Sequence, residues 1–138
     1  MPAAVPADPA APLAVVERFL ARWAVSFDEM LLAFADTIAP GARWDQRPMA
    51  VTHGPDEAVE LLRRMHGRMG LATIDVDTVR AAVAGGVVHT ERVDHLRRDD
   101  DTLIVSVRLA GVMVVEGGRI TDWAEYFDLA SATPHPPG

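Results

Sequence analysis

The sequence predicts an α+β fold in which N-terminal helices pack inside a strongly curved, mixed or antiparallel sheet that encloses a pocket. Apolar residues recur at helical spacing in the first half of the chain, and from about residue 72 the pattern changes to alternation rich in β-branched residues. The alternating runs are separated by "AGG", "RDDD" and "EGG", which read as turns. Helices followed by consecutive strands indicate α+β rather than alternating α/β architecture. The open end of a cone built this way is a natural pocket.

Residues 1–12 are mostly Ala and Pro and residues 131–138 read "SATPHPPG". Both are expected to be disordered tails flanking one folded domain over 13–130. Leu13, Val16, Phe19, Leu20 and Trp23 give 13–24 the apolar stripe of an amphipathic helix. "SFDEMLLAFAD" follows as a second helix, with Ser26 as N-cap and Glu29 three places on as its capping-box partner, and it stops near "APG". "ARWDQRP" reads as a short strand ended by Pro48. "GPDEAVELLRRMHGRMG" reads as a third helix, with Pro55 and two acids at its start and arginines toward its end. "ATIDVDTVRAAV", "GVVHTERVDHLRRD", "DTLIVSVRLAGVMVVEGG" and "RITDWAEYFDL" then give four strands of an antiparallel meander.

A net charge of −7 over 138 residues, with scattered arginines, argues against nucleic-acid binding, which needs a clustered basic face. No apolar run approaches the length that spans a bilayer, and the first residues lack the basic start and apolar core of a signal peptide, so a cytoplasmic protein is expected. With no cysteine, chemistry must use carboxylates, His, Arg, Tyr or hydroxyls.

Strand alternation places Val88, Thr90, Arg92, Asp94 and Leu96 on one face of their strand, and Thr121, Trp123, Glu125 and Phe127 on one face of the last. A carboxylate between Trp123 and Phe127 sits where an apolar wall is expected, and it is costly there unless paired or protonated. Arg92 is the obvious partner. If both faces line the pocket, one guanidinium can bridge Asp94 and Glu125, whose titrations then couple and supply a general acid beside a general base. The short strand adds Trp44 and Gln46 on one face, with Arg43 and Asp45 on the other, and Gln46 is placed to hold a water. An Arg and an Asp two apart on a strand also describe an ordinary exposed ion pair. His89, Glu91 and His95 share the opposite face, but spacing along one strand does not assemble a metal site. His53 and His66 have no visible partner. Trp23, Phe27 and Phe34 read as core.

"TERVDHL" followed by "GGRITDWAEYFDL" resembles the limonene-1,2-epoxide hydrolase family within the NTF2-like, SnoaL-like superfamily, and "GPDEAVELLRRM" is similar to that family's third helix. The resemblance implies an NTF2-like cone and a cofactor-independent, metal-free hydrolase. Its substrates would be a lipophilic epoxide and water, and its assembly a homodimer. It implies Arg92 as the bridging arginine, Asp94 as general acid and Glu125 as base assisted by Gln46, with Trp44, Trp123 and Phe127 as walls. Glu125 stands where the family typically has Asp, and Trp44 and Gln46 stand where it has Tyr and Asn. Three other readings use the same residues: an epoxide-opening cyclase whose nucleophile is a substrate hydroxyl, an isomerase of the ketosteroid type using Asp45 as carbon base, and a non-catalytic binding module.

Overall fold

A computed structural model of the chain describes residues 8–132, so residues 1–7 and 133–138 of the expected tails lie outside the described residues. The first helix, α1 (Pro12–Arg22), starts on proline, whose fixed φ and missing N–H suit a first turn. It buries Val15, Val16, Phe19 and Leu20. The second, α2 (Phe27–Thr37), is capped by Ser26, whose hydroxyl accepts from the Glu29 backbone N–H at 3.0 Å. The Glu29 side chain does not complete the capping box; it takes the Arg22 guanidinium at 2.7 Å and ties α2 back to α1. The third, α3 (Gly54–Met69), closes on Gly70 at φ +78°, a left-handed position that glycine adopts without strain. Its first turn is held by Glu57, which accepts from the His53 N–H at 3.0 Å.

Six strands form one sheet: β1 (Ile38–Arg47), β2 (Ala50–His53), β3 (Thr73–Ala84), β4 (Val87–Arg97), β5 (Leu103–Glu116) and β6 (Arg119–Phe127), in the order β2-β1-β6-β5-β4-β3. The last four form the expected antiparallel meander, with ends within two or three residues of those read from the sequence. The first half of the chain differs in two ways. β1 begins directly at the end of α2, because Gly41 at φ +72° makes a bulge inside the strand where "APG" had read as a break. Pro48 does not end the sheet either: it lies in a tight turn that returns the chain as β2, antiparallel to β1. β1 then docks parallel to β6, with Gln46 opposite Glu125 and Trp44 opposite Trp123. At the C-terminal end a 3-10 turn, Leu129–Ser131, follows β6, so regular structure reaches one residue into the expected tail there, as it does at Pro12 of α1.

The helices fill the concave face of this sheet. Their meeting point is an aromatic cluster in which Phe19 of α1, Trp23 at its end, Phe34 of α2, Trp44 of β1 and Trp123 of β6 lie with ring centroids 4.5–5.9 Å apart. Contacts of this kind contribute on the order of 1 kcal/mol each beyond the area they bury. The cluster ties the first and last strands to both N-terminal helices. Among the described residues no helix is long and apolar enough to cross a membrane.

Candidate active site

The alternation along β4 appears directly in its burial: Val88, Thr90, Arg92, Asp94 and Leu96 are buried, while His89 and Glu91 are exposed and Val93 and His95 half-buried. Arg92, Asp94 and Glu125 are 1%, 6% and 3% exposed, so three ionisable groups sit where an unpaired charge would be expensive. They answer that cost by pairing. Arg92 donates from Nε to Asp94 Oδ1 at 3.2 Å and from Nη2 to Asp94 Oδ2 at 3.0 Å; the same Nη2 donates to Glu125 Oε2 at 2.5 Å. Its Nη1 donates to Thr90 Oγ1 at 3.3 Å, and the face of the guanidinium lies over the Trp23 ring, 5.7 Å from its centroid.

The bridge crosses a whole strand. β5 runs between β4 and β6, with Gly111 opposite Thr90 on one side and Glu125 on the other. Strands one apart are separated by about 4.8 Å, so Arg92 and Glu125 must reach over β5 to meet. Gly111 leaves that path clear: a Cβ there would stand 2.9 Å from Arg92 Nη1 and 3.1 Å from Thr90 Oγ1. Sequence reasoning missed this residue. The available signal was a glycine inside a strand with no turn around it, which marks a close approach.

Two carboxylates on one guanidinium carry a net charge of −1 when both are ionised, and a buried site of this kind is balanced by taking up one proton. Burial pushes the Glu125 carboxyl above its ordinary range, and the Asp94 charge pushes it further. The Arg92 charge and the hydrogen bonds from Trp44 and Arg92 oppose that rise. Burial alone would lower the Arg92 guanidinium, but the charges of Glu125 and Asp94 more than offset it and hold the group firmly protonated.

Glu125 and Asp94 open onto an apolar cavity of about 100 Å³. Trp44, Gln46 and Phe127 line it as expected, and so do Trp23 and Phe34, which the sequence marked only as core. Leu62 and Met65 of α3, Ile74 of β3 and Leu96 of β4 close the sides, with the exposed Met49 and Leu129 toward solvent. Trp123 is not part of this lining. It is fully buried and stacked on Trp44, ring centroids 4.5 Å apart and 7° from parallel, so it supports the wall rather than forming it. Gln46 is 4% exposed and its amide nitrogen has no partner, which leaves a donor available at the cavity beside Glu125.

Other candidates fall elsewhere. Asp45 accepts from Arg47 at 2.8 Å, one residue away from Gln46 and therefore on the opposite face of β1, outside the cavity that a carbon base would need to reach. His95 is held between Asp77 at 2.8 Å and Ser106 at 2.7 Å on the outer face. His66 bonds the Leu71 carbonyl at 2.7 Å and stacks on Phe27.

The family model described as "Limonene-1,2-epoxide hydrolase catalytic domain" matches residues 10–133. Epoxide hydrolase EphG of Mycobacterium tuberculosis is 41% identical over 76 residues, a match that spans 55% of this chain and 48% of that protein. Among solved structures, an M. tuberculosis LEH-like epoxide hydrolase superposes with a TM-score of 0.71 at 28% identity, covering 93% of this chain and 85% of that one. A putative SnoaL-like polyketide cyclase from Shewanella putrefaciens CN-32 superposes with a TM-score of 0.72 at 12% identity, covering 87% and 91%; at that identity the likeness is one of fold.

Proposed function

Because the chain belongs to the limonene-1,2-epoxide hydrolase family, we propose that it adds water to a lipophilic epoxide to give a vicinal diol, in one step of general acid and base catalysis. The observation that carries this reading is the single nitrogen, Arg92 Nη2, donating to both Asp94 and Glu125 at the edge of an apolar cavity.

Glu125 is the base. It accepts from Arg92 and from Trp44, donors that favour its ionised form over the neutral acid, and it stands opposite Gln46 on β1; Asp94 is given the acid role. The lone pairs that remain on Glu125 accept a proton from a water steered by Gln46 as the water oxygen attacks an epoxide carbon. The carbon–oxygen bond breaks, and the departing oxygen takes the Asp94 proton instead of leaving as an alkoxide. Each positioned transfer is worth roughly 10²–10⁴ in rate. The proton gained by Glu125 then returns to Asp94, restoring the starting pair. Apart from Gln46 and the two acids the cavity wall is hydrocarbon and aromatic, which favours substrates whose only polar group is the epoxide.

Incubation with small cyclic, aromatic and linear epoxides in ¹⁸O-labelled water tests the proposal: a diol carrying one labelled oxygen is expected. A product without label would place the nucleophile inside the substrate, and no turnover on any member would end the hydrolase reading. A homodimer through the outer sheet face belongs to the same proposal, supported by the half-buried Val93, Val112 and Val114 there. Light scattering at micromolar concentration should return twice the chain mass.

A further inference from the structure

Three tryptophans lie buried in the core, and two of them, Trp23 and Trp123, leave the indole N–H without a partner. Trp44 does not: its Nε1 donates to Glu125 Oε1 at 3.0 Å. A paired indole is therefore not a general feature of this core. Stacking on Trp123 and packing beside Phe34 would be met equally by a phenyl ring, so packing does not account for the direction of this N–H.

We infer that Trp44 is a positioning residue for Glu125, and that the indole and the longer acid form one matched unit. The inference rests on the proposed role of Glu125 as base. Trp44 is the diagonal neighbour of Glu125 across the β1–β6 pair, two residues before the directly opposed Gln46. The glutamate spans the gap between two fixed donors, with Oε2 on Arg92 and Oε1 on Trp44. An aspartate at 125 is shorter by one carbon–carbon bond, about 1.5 Å. It could hold one donor at hydrogen-bonding distance but not both. Of the three positions at which this chain departs from the pattern it resembles, Trp44 and Glu125 are thereby coupled, and Gln46 stands beside them.

The chemical consequence is control of where the pair's proton resides. Indole N–H donates and cannot accept, so it stabilises the ionised carboxylate more than the neutral acid. The titratable groups facing Glu125 are Arg92 and Asp94, both from β4. β1 offers Trp44 and Gln46, β5 offers Gly111, and none of these titrates. Arg92 gives Asp94 two hydrogen bonds and Glu125 one, and Trp44 supplies a second donor to Glu125 alone.

The test is Trp44→Phe, which keeps a stacked ring and removes the donor. Carbon-13 titration of the Glu125 carboxyl, assigned by its loss in Glu125→Gln, should show the midpoint rising by about one pH unit, the shift that a hydrogen bond to a charged group is worth. In the pH profile of kcat/KM the acid limb should move to higher pH with it. A merely structural loss would lower the whole profile without moving that limb. An unmoved midpoint in folded Trp44→Phe overturns the inference. Glu125→Asp supplies a second route: in that background Trp44→Phe should cost nothing further in kcat, and losses that multiply would overturn the matched unit. The carboxyl titration requires no substrate, so a wild-type protein that opens no epoxide would defeat the proposed hydrolysis while still deciding the role of Trp44.

Discussion

Arg92 holds two acids of unequal standing, and the difference between them is open to experiment one residue at a time. Asp94→Asn keeps the shape of the side chain and removes the transferable proton. Diol formation should fall by about 10²–10⁴ or more while the circular dichroism spectrum and melting temperature show an intact fold. Glu125 makes a separate prediction about stability. Its carboxyl is raised above the ordinary value of 4.5, so its contribution to stability is fully present below that pH and is lost as pH rises through the folded value. Melting temperatures measured from pH 4 to 8 should show the wild type losing stability relative to Glu125→Gln across that window. A difference independent of pH would mean that Glu125 is not the strained group. The two facing sets of residues were legible in the sequence because period-two alternation sorts side chains by face. The bond from Trp44 to Glu125 was not, because it depends on the register between two strands 81 residues apart in the chain.

Among the elements, β5 contributes no acid or base to the cavity, yet it decides whether β4 and β6 can join theirs. Gly111→Ala would set a methyl group 2.9 Å from Arg92 Nη1. The neighbouring strands are hydrogen-bonded in place, so the guanidinium must give way. A stability loss of about 1–3 kcal/mol is expected, the usual range for an overfilled core. Turnover should fall more steeply than stability, read from kcat/KM beside the melting temperature; retained activity would show that the bridge tolerates a longer path. The meander was readable because each strand announced itself by alternation and each turn by Gly or Asp. The β1–β2 hairpin was not, because Pro40, Gly41 and Pro48 have the chemistry of breaks, and only the sheet shows that the first glycine makes a bulge and the second proline a turn.

For the molecule as a whole, the size of the cavity follows from how closely the helices press into the sheet. At about 100 Å³ the space suits a small epoxide. Phe127 is a half-buried lining residue on the last strand, close in sequence to the exposed Leu129. Phe127→Ala should open the cavity and move the ratio of kcat/KM between a bulky and a small epoxide by on the order of tenfold toward the bulky one. A competition assay on the two substrates measures the ratio directly.

The parallel seam between β1 and β6 has a bearing on time as well as on shape. A chain that has folded its β3–β6 meander but not yet received β1 owns Arg92, Asp94 and Glu125 while lacking Trp44 and Gln46. Joining residues so far apart in the chain is the kind of event that sets the pace of folding. Catalysis is thus a clock for the final closure: during refolding, diol formation should return only with the slowest step that joins the β1–β2 hairpin to β6, after the spectroscopic signal of the meander has already recovered.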